Sequence, residues 1–157
     1  RFESFKPACK SIDLSNCNLE SIHNAYDNTI LYTDFILSSI IDILRKNSHQ
    51  INSSLLYISD HGESLGENGL FLHGIPKFMA PSTQTEIPVI AWLSEGFSLQ
   101  TGINQACMKD RLQLPYSHDY FFHTALGLWN IKTSWYKDSL DMFAPCRSAR
   151  TKISLKN

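Results

Sequence analysis

No apolar run of about eighteen residues occurs in this 157-residue chain, so no segment reads as a transmembrane helix. The first residues, RFESFKPACK, lack the pattern of a signal peptide. Net charge is scarce as well: the formal value is −1 and the cations form no stripe, which argues against nucleic acid as the main partner. There is no internal repeat, no low-complexity segment and no break in composition, so the chain is expected to form one modest domain with a real core. None of the cysteines (Cys9, Cys17, Cys107 and Cys146) sits in a C-x-x-C pair, which weighs against thiolate metal ligation. Three disulfide pairings stay open, beside reduced thiols.

What is present concentrates in Ser53–Gly74, SSLLYISDHGESLGENGLFLHG. Leu55, Leu56, Tyr57 and Ile58 make an apolar run with polar flanks, short enough for a buried strand over 54–59. The run breaks into Asp60-His61-Gly62, followed by Glu63, Glu67, His73 and glycines 66, 69 and 74. Ligands of open α/β sheets collect past the carboxyl ends of strands, so the chemistry is expected here. Zinc accepts imidazole nitrogen and carboxylate oxygen, and catalytic zinc sites keep one position open. Neighbouring strand residues point to opposite faces, so Asp60 and His61 reach one ion only if the backbone turns between them. Gly62 supplies freedom for that turn. The competing reading is a loop Asp that caps backbone N–H groups beside an exposed His.

The remaining pattern predicts an α/β protein with a mostly parallel sheet flanked by helices. Ile22, Tyr26, Ile30, Thr33, Leu37, Ile40 and Leu44 recur at helical steps, with Asn18 as N-cap and Arg45-Lys46 at the C-terminal end. Asp27 and Asp34 read as the solvated side of that helix. Residues 62–84 form a long loop without a clear period, a kind usually functional or mobile; in it Lys77 either meets a phosphate or is solvated. A second strand, Ile87–Leu93, is nearly continuous in apolar residues, which suits burial on both faces. Residues 95–116 read as loop with one short helical piece over 104–112, and Ser117 as the N-cap of a helix running to about Trp129. His118 and His123 are five apart, not the i, i+4 spacing of a helical ligand pair, so His123 is expected to be packed or exposed. Tyr120, Phe121, Phe122, Trp129 and Trp135 are expected in the core. Arg147–Asn157 carries four cations and no acid and reads as a frayed tail, with weak attraction to anionic lipid as the sharper option.

The run YISDHGESLGENGLFLHG resembles the signature of the lipid A phosphoethanolamine transferases, members of the alkaline phosphatase and sulfatase superfamily. RFESFKPAC at the start, NAYDNTILYTDFI at 24–36 and YSHDYFFHTALGLWNI at 116–131 extend the resemblance over most of the chain. It implies that residues 1–157 are the C-terminal part of a sulfatase-like periplasmic catalytic domain. Asp60 and His61 would be ligands of a catalytic zinc. Glu63 and His73 would line the phosphoethanolamine pocket, His73 sometimes holding a second zinc, and His118 would brace the site. The threonine nucleophile, a glutamate ligand, a further active-site histidine and the membrane anchor belong in the family to upstream sequence, so no catalytic nucleophile is expected among these residues. A Cys9–Cys17 disulfide is implied, and Cys107–Cys146 stands as a second expectation. The implied reaction takes phosphoethanolamine from phosphatidylethanolamine to lipid A or lipooligosaccharide on the periplasmic face of the bacterial inner membrane, with resistance to polymyxin-like peptides as its result. Two other readings are another enzyme of the superfamily, such as a sulfatase or phosphoglycerol transferase, and a non-catalytic zinc-binding module.

Overall fold

The computed structural model describes residues 2–148. The chain divides into two compact units, Arg1–Asn47 with Ser54–Trp92, and Ser48–Ser53 with Leu93–Asn157.

In the first unit the long helix α1 (Leu19–Lys46) starts where its sequence says it should. The Asn18 side chain accepts the Ser21 N–H at 2.8 Å, Glu20 lies in the first turn, and Arg45 and Lys46 close the last one. A Cys9–Cys17 disulfide closes the loop ahead of the helix, and Cys9 N–H bonds to the Ser21 carbonyl at 2.8 Å. Buried Asn28 holds the leading segment by two bonds to the backbone of Phe5, 3.1 and 2.9 Å long. Along the predicted apolar face Ile22 is buried, Tyr26, Thr33, Leu37 and Leu44 are half-buried, and Ile30 and Ile40 are exposed.

Strand β1 (Ser54–Ile58) pairs with β4 (Val89–Leu93). Ser59 N–H reaches the Pro88 carbonyl at 3.4 Å and Ser94 N–H reaches Ser53 at 2.9 Å, so the end of each strand meets the start of the other. That is the antiparallel arrangement. The expectation that β4 is buried on both faces is corrected: Val89, Ile90 and Ala91 are exposed and only Leu93 is buried. No third strand among the described residues joins this pair. The loop after β1 contains a small antiparallel hairpin, β2 (Ser64–Leu65) with β3 (Phe71–Leu72), and then the single helical turn α2 (Ser82–Thr85).

The second unit is built from α3 (Glu95–Thr101), α4 (Gln105–Lys109) and α5 (Asp119–Leu128). Ser94 Oγ accepts the Phe97 N–H at 3.2 Å and Asn104 Oδ1 that of Ala106 at 2.9 Å, so both short helices begin on side-chain caps. The 95–116 region therefore holds one more helix than its loop-like composition suggested. A Cys107–Cys146 disulfide joins α4 to the last turn. Leu93, Ile103, Leu128, Met142 and Phe143 form the core.

Two further expectations are corrected here. Phe121, Phe122, Trp129 and Trp135 are exposed rather than core, because α5 turns His123, Thr124, Gly127 and Leu128 inward instead. Arg147 is no part of a frayed tail: its guanidinium pairs with fully buried Asp141 at 2.9 Å. The rest of that tail, beyond Ser148, lies outside the described residues. His123 is packed, its Nδ1 accepting the Lys137 N–H at 3.1 Å. No helix among the described residues is long and apolar enough to cross a membrane.

Candidate metal centre

Past β1 the backbone turns at once. Ser59 Oγ donates to the His61 carbonyl at 2.8 Å, and Asp60 Oδ1 accepts the His61 N–H at 3.1 Å. Gly62 N–H then bonds to the Gln84 carbonyl at 3.0 Å. A Cβ on Gly62 would collide with the Thr83 carbonyl, so glycine is required by this close approach of two backbones. The neighbouring Ser64 is 1% exposed and its Oγ accepts from Gln84 Nε2 at 2.8 Å, which fixes the floor of the loop.

The bend leaves Asp60 Oδ2 and His61 Nε2 3.8 Å apart. His61 Nδ1 lies 2.9 Å from the Gly62 carbonyl, which can only accept, so Nδ1 carries a proton and Nε2 has its lone pair outward in the neutral ring. Two Lewis bases thus stand side by side, as a cation site requires.

The hairpin returns a second imidazole to the same place. Gly66 (φ 125°), Asn68 (φ 54°) and Gly69 (φ 74°) make its tight turn in the left-handed half of conformational space. Glu67 braces that turn: Oε2 accepts the Leu65 N–H at 2.7 Å, and bonds to its own and the Leu65 backbone N–H hold its carboxyl below the usual range. His73 then stacks near His61, ring centroids 4.0 Å apart, and its Nδ1 meets Glu63 Oε1 at 2.7 Å. His61, Glu63 and His73 each offer a ligand atom within 4.8 Å of the others. Glu63 Oε2 is buried with no hydrogen-bond partner among the described residues. Burial and then the Glu63 charge raise the Tyr26 hydroxyl pKa above its usual value. A cavity of about 350 Å³ lies against Glu63, walled by Ile22, Tyr26, Thr29, Leu65 and Leu72.

All four residues singled out in the sequence therefore lie in one loop, but in a different grouping. Asp60 approaches His61, while His61, Glu63 and His73 form a three-residue cluster. The roles of Gln84 and Ser64 in fixing the loop had no signal in the sequence. The meeting of His61 with His73 had one: each precedes a glycine, and a glycine-rich turn lies between them.

Comparison with known proteins identifies relatives of the chain. Phosphoethanolamine transferase EptA of Salmonella typhimurium is 43% identical over 148 residues, which are 94% of this chain and 27% of that protein. The chain thus spans about a quarter of the length of the curated relatives it matches. Among solved structures, the integral membrane protein lipooligosaccharide phosphoethanolamine transferase A of Neisseria meningitidis superposes with a TM-score of 0.88 at 39% identity, over 93% of this chain and 27% of that one. The C-terminal periplasmic domain of phosphoethanolamine transferase EptC from Campylobacter jejuni gives 0.81 at 44% identity, over 96% and 47%. The expected α/β, sulfatase-like fold and the likeness to phosphoethanolamine transferases both hold. The sulfatase model matches residues 1–131, and the chain belongs to the sulfatase family.

Proposed function

We propose that this chain is the C-terminal part of the catalytic domain of a zinc-dependent phosphoethanolamine transferase. The whole protein would move phosphoethanolamine from phosphatidylethanolamine to lipid A or lipooligosaccharide, at the periplasmic face of the bacterial inner membrane. One observation carries the reading: two imidazoles 4.0 Å apart, both with Nδ1 held by an oxygen acceptor, beside two carboxylates. Within this group, the His61 imidazole nitrogen and the Asp60 carboxylate oxygen, 3.8 Å apart, are a donor pair that fits zinc. The names of the relatives supply the reaction class.

Asp60 and His61 are the proposed holders of the ion. Bound there, zinc supplies a Lewis acid that lowers the pKa of a hydroxyl nucleophile and offsets charge on phosphoryl oxygens. The nucleophile is a threonine outside these residues. Its oxygen bonds to phosphorus as the bond to the diacylglycerol oxygen breaks, and that oxygen leaves with a proton. A phosphate oxygen of lipid A then bonds to the same phosphorus and frees the threonine. Glu63 presents its unpartnered buried oxygen to the ethanolammonium group. His73, oriented by Glu63 at 2.7 Å, binds a phosphoryl oxygen or moves a proton at Nε2. Each transfer adds a cation to lipid A, so polymyxin-like peptides lose part of their attraction to the surface.

The test is complementation of a transferase-null strain with the full-length gene. Lipid A is expected to gain one phosphoethanolamine by mass, with Asp60→Ala and His61→Ala abolishing the gain at unchanged protein level. Modification at the wild-type level in either variant overturns the assignment of the site, and no modification by the wild type overturns the activity.

A further inference from the structure

The second unit contains a cavity of about 550 Å³, far larger than a water site, lined by Gly127, Asn130, Lys132, Thr133, Tyr136 and Arg147 among others. Its most unusual wall is Arg147. Nη1 of this side chain pairs with Asp141 Oδ2 at 2.9 Å, but Nε and Nη2 are buried and have no hydrogen-bond partner among the described residues. Leaving buried donors unmade is costly, more so when they are charged. Those two nitrogens share one edge of the guanidinium plane, and their N–H bonds run parallel. This is the edge that grips two oxygens of a phosphate or carboxylate at once.

The α5 backbone packs close to the Asp141–Arg147 pair. Gly127 has no side chain where a Cβ would collide with the Asp141 carboxylate and come within 3.0 Å of Arg147 Nη2. Asn130 (φ 55°) turns the chain sharply out of α5, and Lys132 and Thr133 follow along the cavity wall. Asp141 does not compete for a ligand's place, since its oxygens already accept from Tyr136 Oη at 2.8 Å, Phe143 N at 2.9 Å and Arg147 Nη1. Asp138, the other acid on the wall, accepts from Tyr136 Oη at 3.3 Å. The free donors and the second cation, Lys132, outweigh it.

We infer that this cavity is an oxyanion site, distinct from the His61–His73 cluster, that takes a phosphate monoester on the Nε–Nη2 edge of Arg147. The inference does not depend on the proposed transferase activity. It is tested by calorimetric titration of the full-length protein with inorganic phosphate, against sodium chloride at matched ionic strength. Saturable binding to the wild type is expected. Arg147→Lys, which keeps a cation for Asp141 but has no such edge, is expected to weaken binding about tenfold. Should that variant not fold, Lys132→Ala leaves the Asp141 ion pair intact and is expected to weaken binding about threefold. Competition by phosphatidic acid in phosphatidylcholine vesicles assigns a lipid-borne monoester, and its absence a soluble one. No phosphate heat beyond that of chloride, or the same affinity in wild type and in whichever variants fold, overturns the site.

Discussion

Glu63 meets His73 at 2.7 Å where the imidazole is 53% exposed, whereas Asp141 meets Arg147 at 2.9 Å with the carboxylate fully buried. Both are acid–base contacts of similar length, yet the remaining atoms fare differently. Around Asp141, Tyr136, Phe143 and Arg147 all donate, and Met142 N–H bonds to Thr124 Oγ1 at 3.0 Å close by. Around Glu63 and His61, by contrast, one buried oxygen has no hydrogen-bond partner among the described residues, and an imidazole nitrogen lies 3.8 Å from the Asp60 carboxylate. The first charge is used up in holding a turn against α5. The second set stays available, and its loop is fixed by backbone bonds and by Ser64 rather than by the charged groups themselves.

Breaking the comparison on the buried side should have the largest effect. Asp141→Ala leaves a mostly buried guanidinium uncompensated and is expected to lower the unfolding free energy by about 3–5 kcal/mol, read from denaturant titration. A loss below about 1 kcal/mol would mean that water already screens the pair. Ser64→Ala strands the buried Gln84 amide and should lower stability by about 1–3 kcal/mol. Tyr136 sharpens the contrast through pH. Burial first, and its bond to Asp141 second, push the hydroxyl up from 10 to about 12. A raised folded-state pKa contributes stability that is whole below pH 10 and is lost as pH rises through about 12. Alkaline unfolding curves should therefore be flatter over that window in Tyr136→Phe. The smallest effect belongs to the exposed pair: His73→Ala should change the unfolding free energy by less than about 0.5 kcal/mol.

Much of this was legible because it is local. Asn18 as cap, the helix to Lys46, the strand at 54–58 and the Asp-His-Gly bend are each written in adjacent residues or in short periods. What was not legible depends on residues far apart in sequence. Gln84 reaches Ser64 across twenty positions, and Met142 reaches Thr124 across eighteen. Composition misread α5 for the same reason: aromatic residues there look like core, but the face carrying small Thr124 and Gly127 is the one that lets the Asp141 turn approach. Arg147 looked like the first residue of a cationic tail because its partner, though only six positions away, is buried by tertiary packing.

The long helix leaves Ile30, Tyr32, Phe35, Ile36, Ile40 and Ile43 wet along much of its length. An exposed apolar strip of this kind, partly covered where Phe2 packs against Tyr32 and Phe35, promotes association. Prepared by itself, the chain should associate through that strip as concentration rises, and placing a lysine at Ile36 or Ile43 is the simplest remedy for handling it.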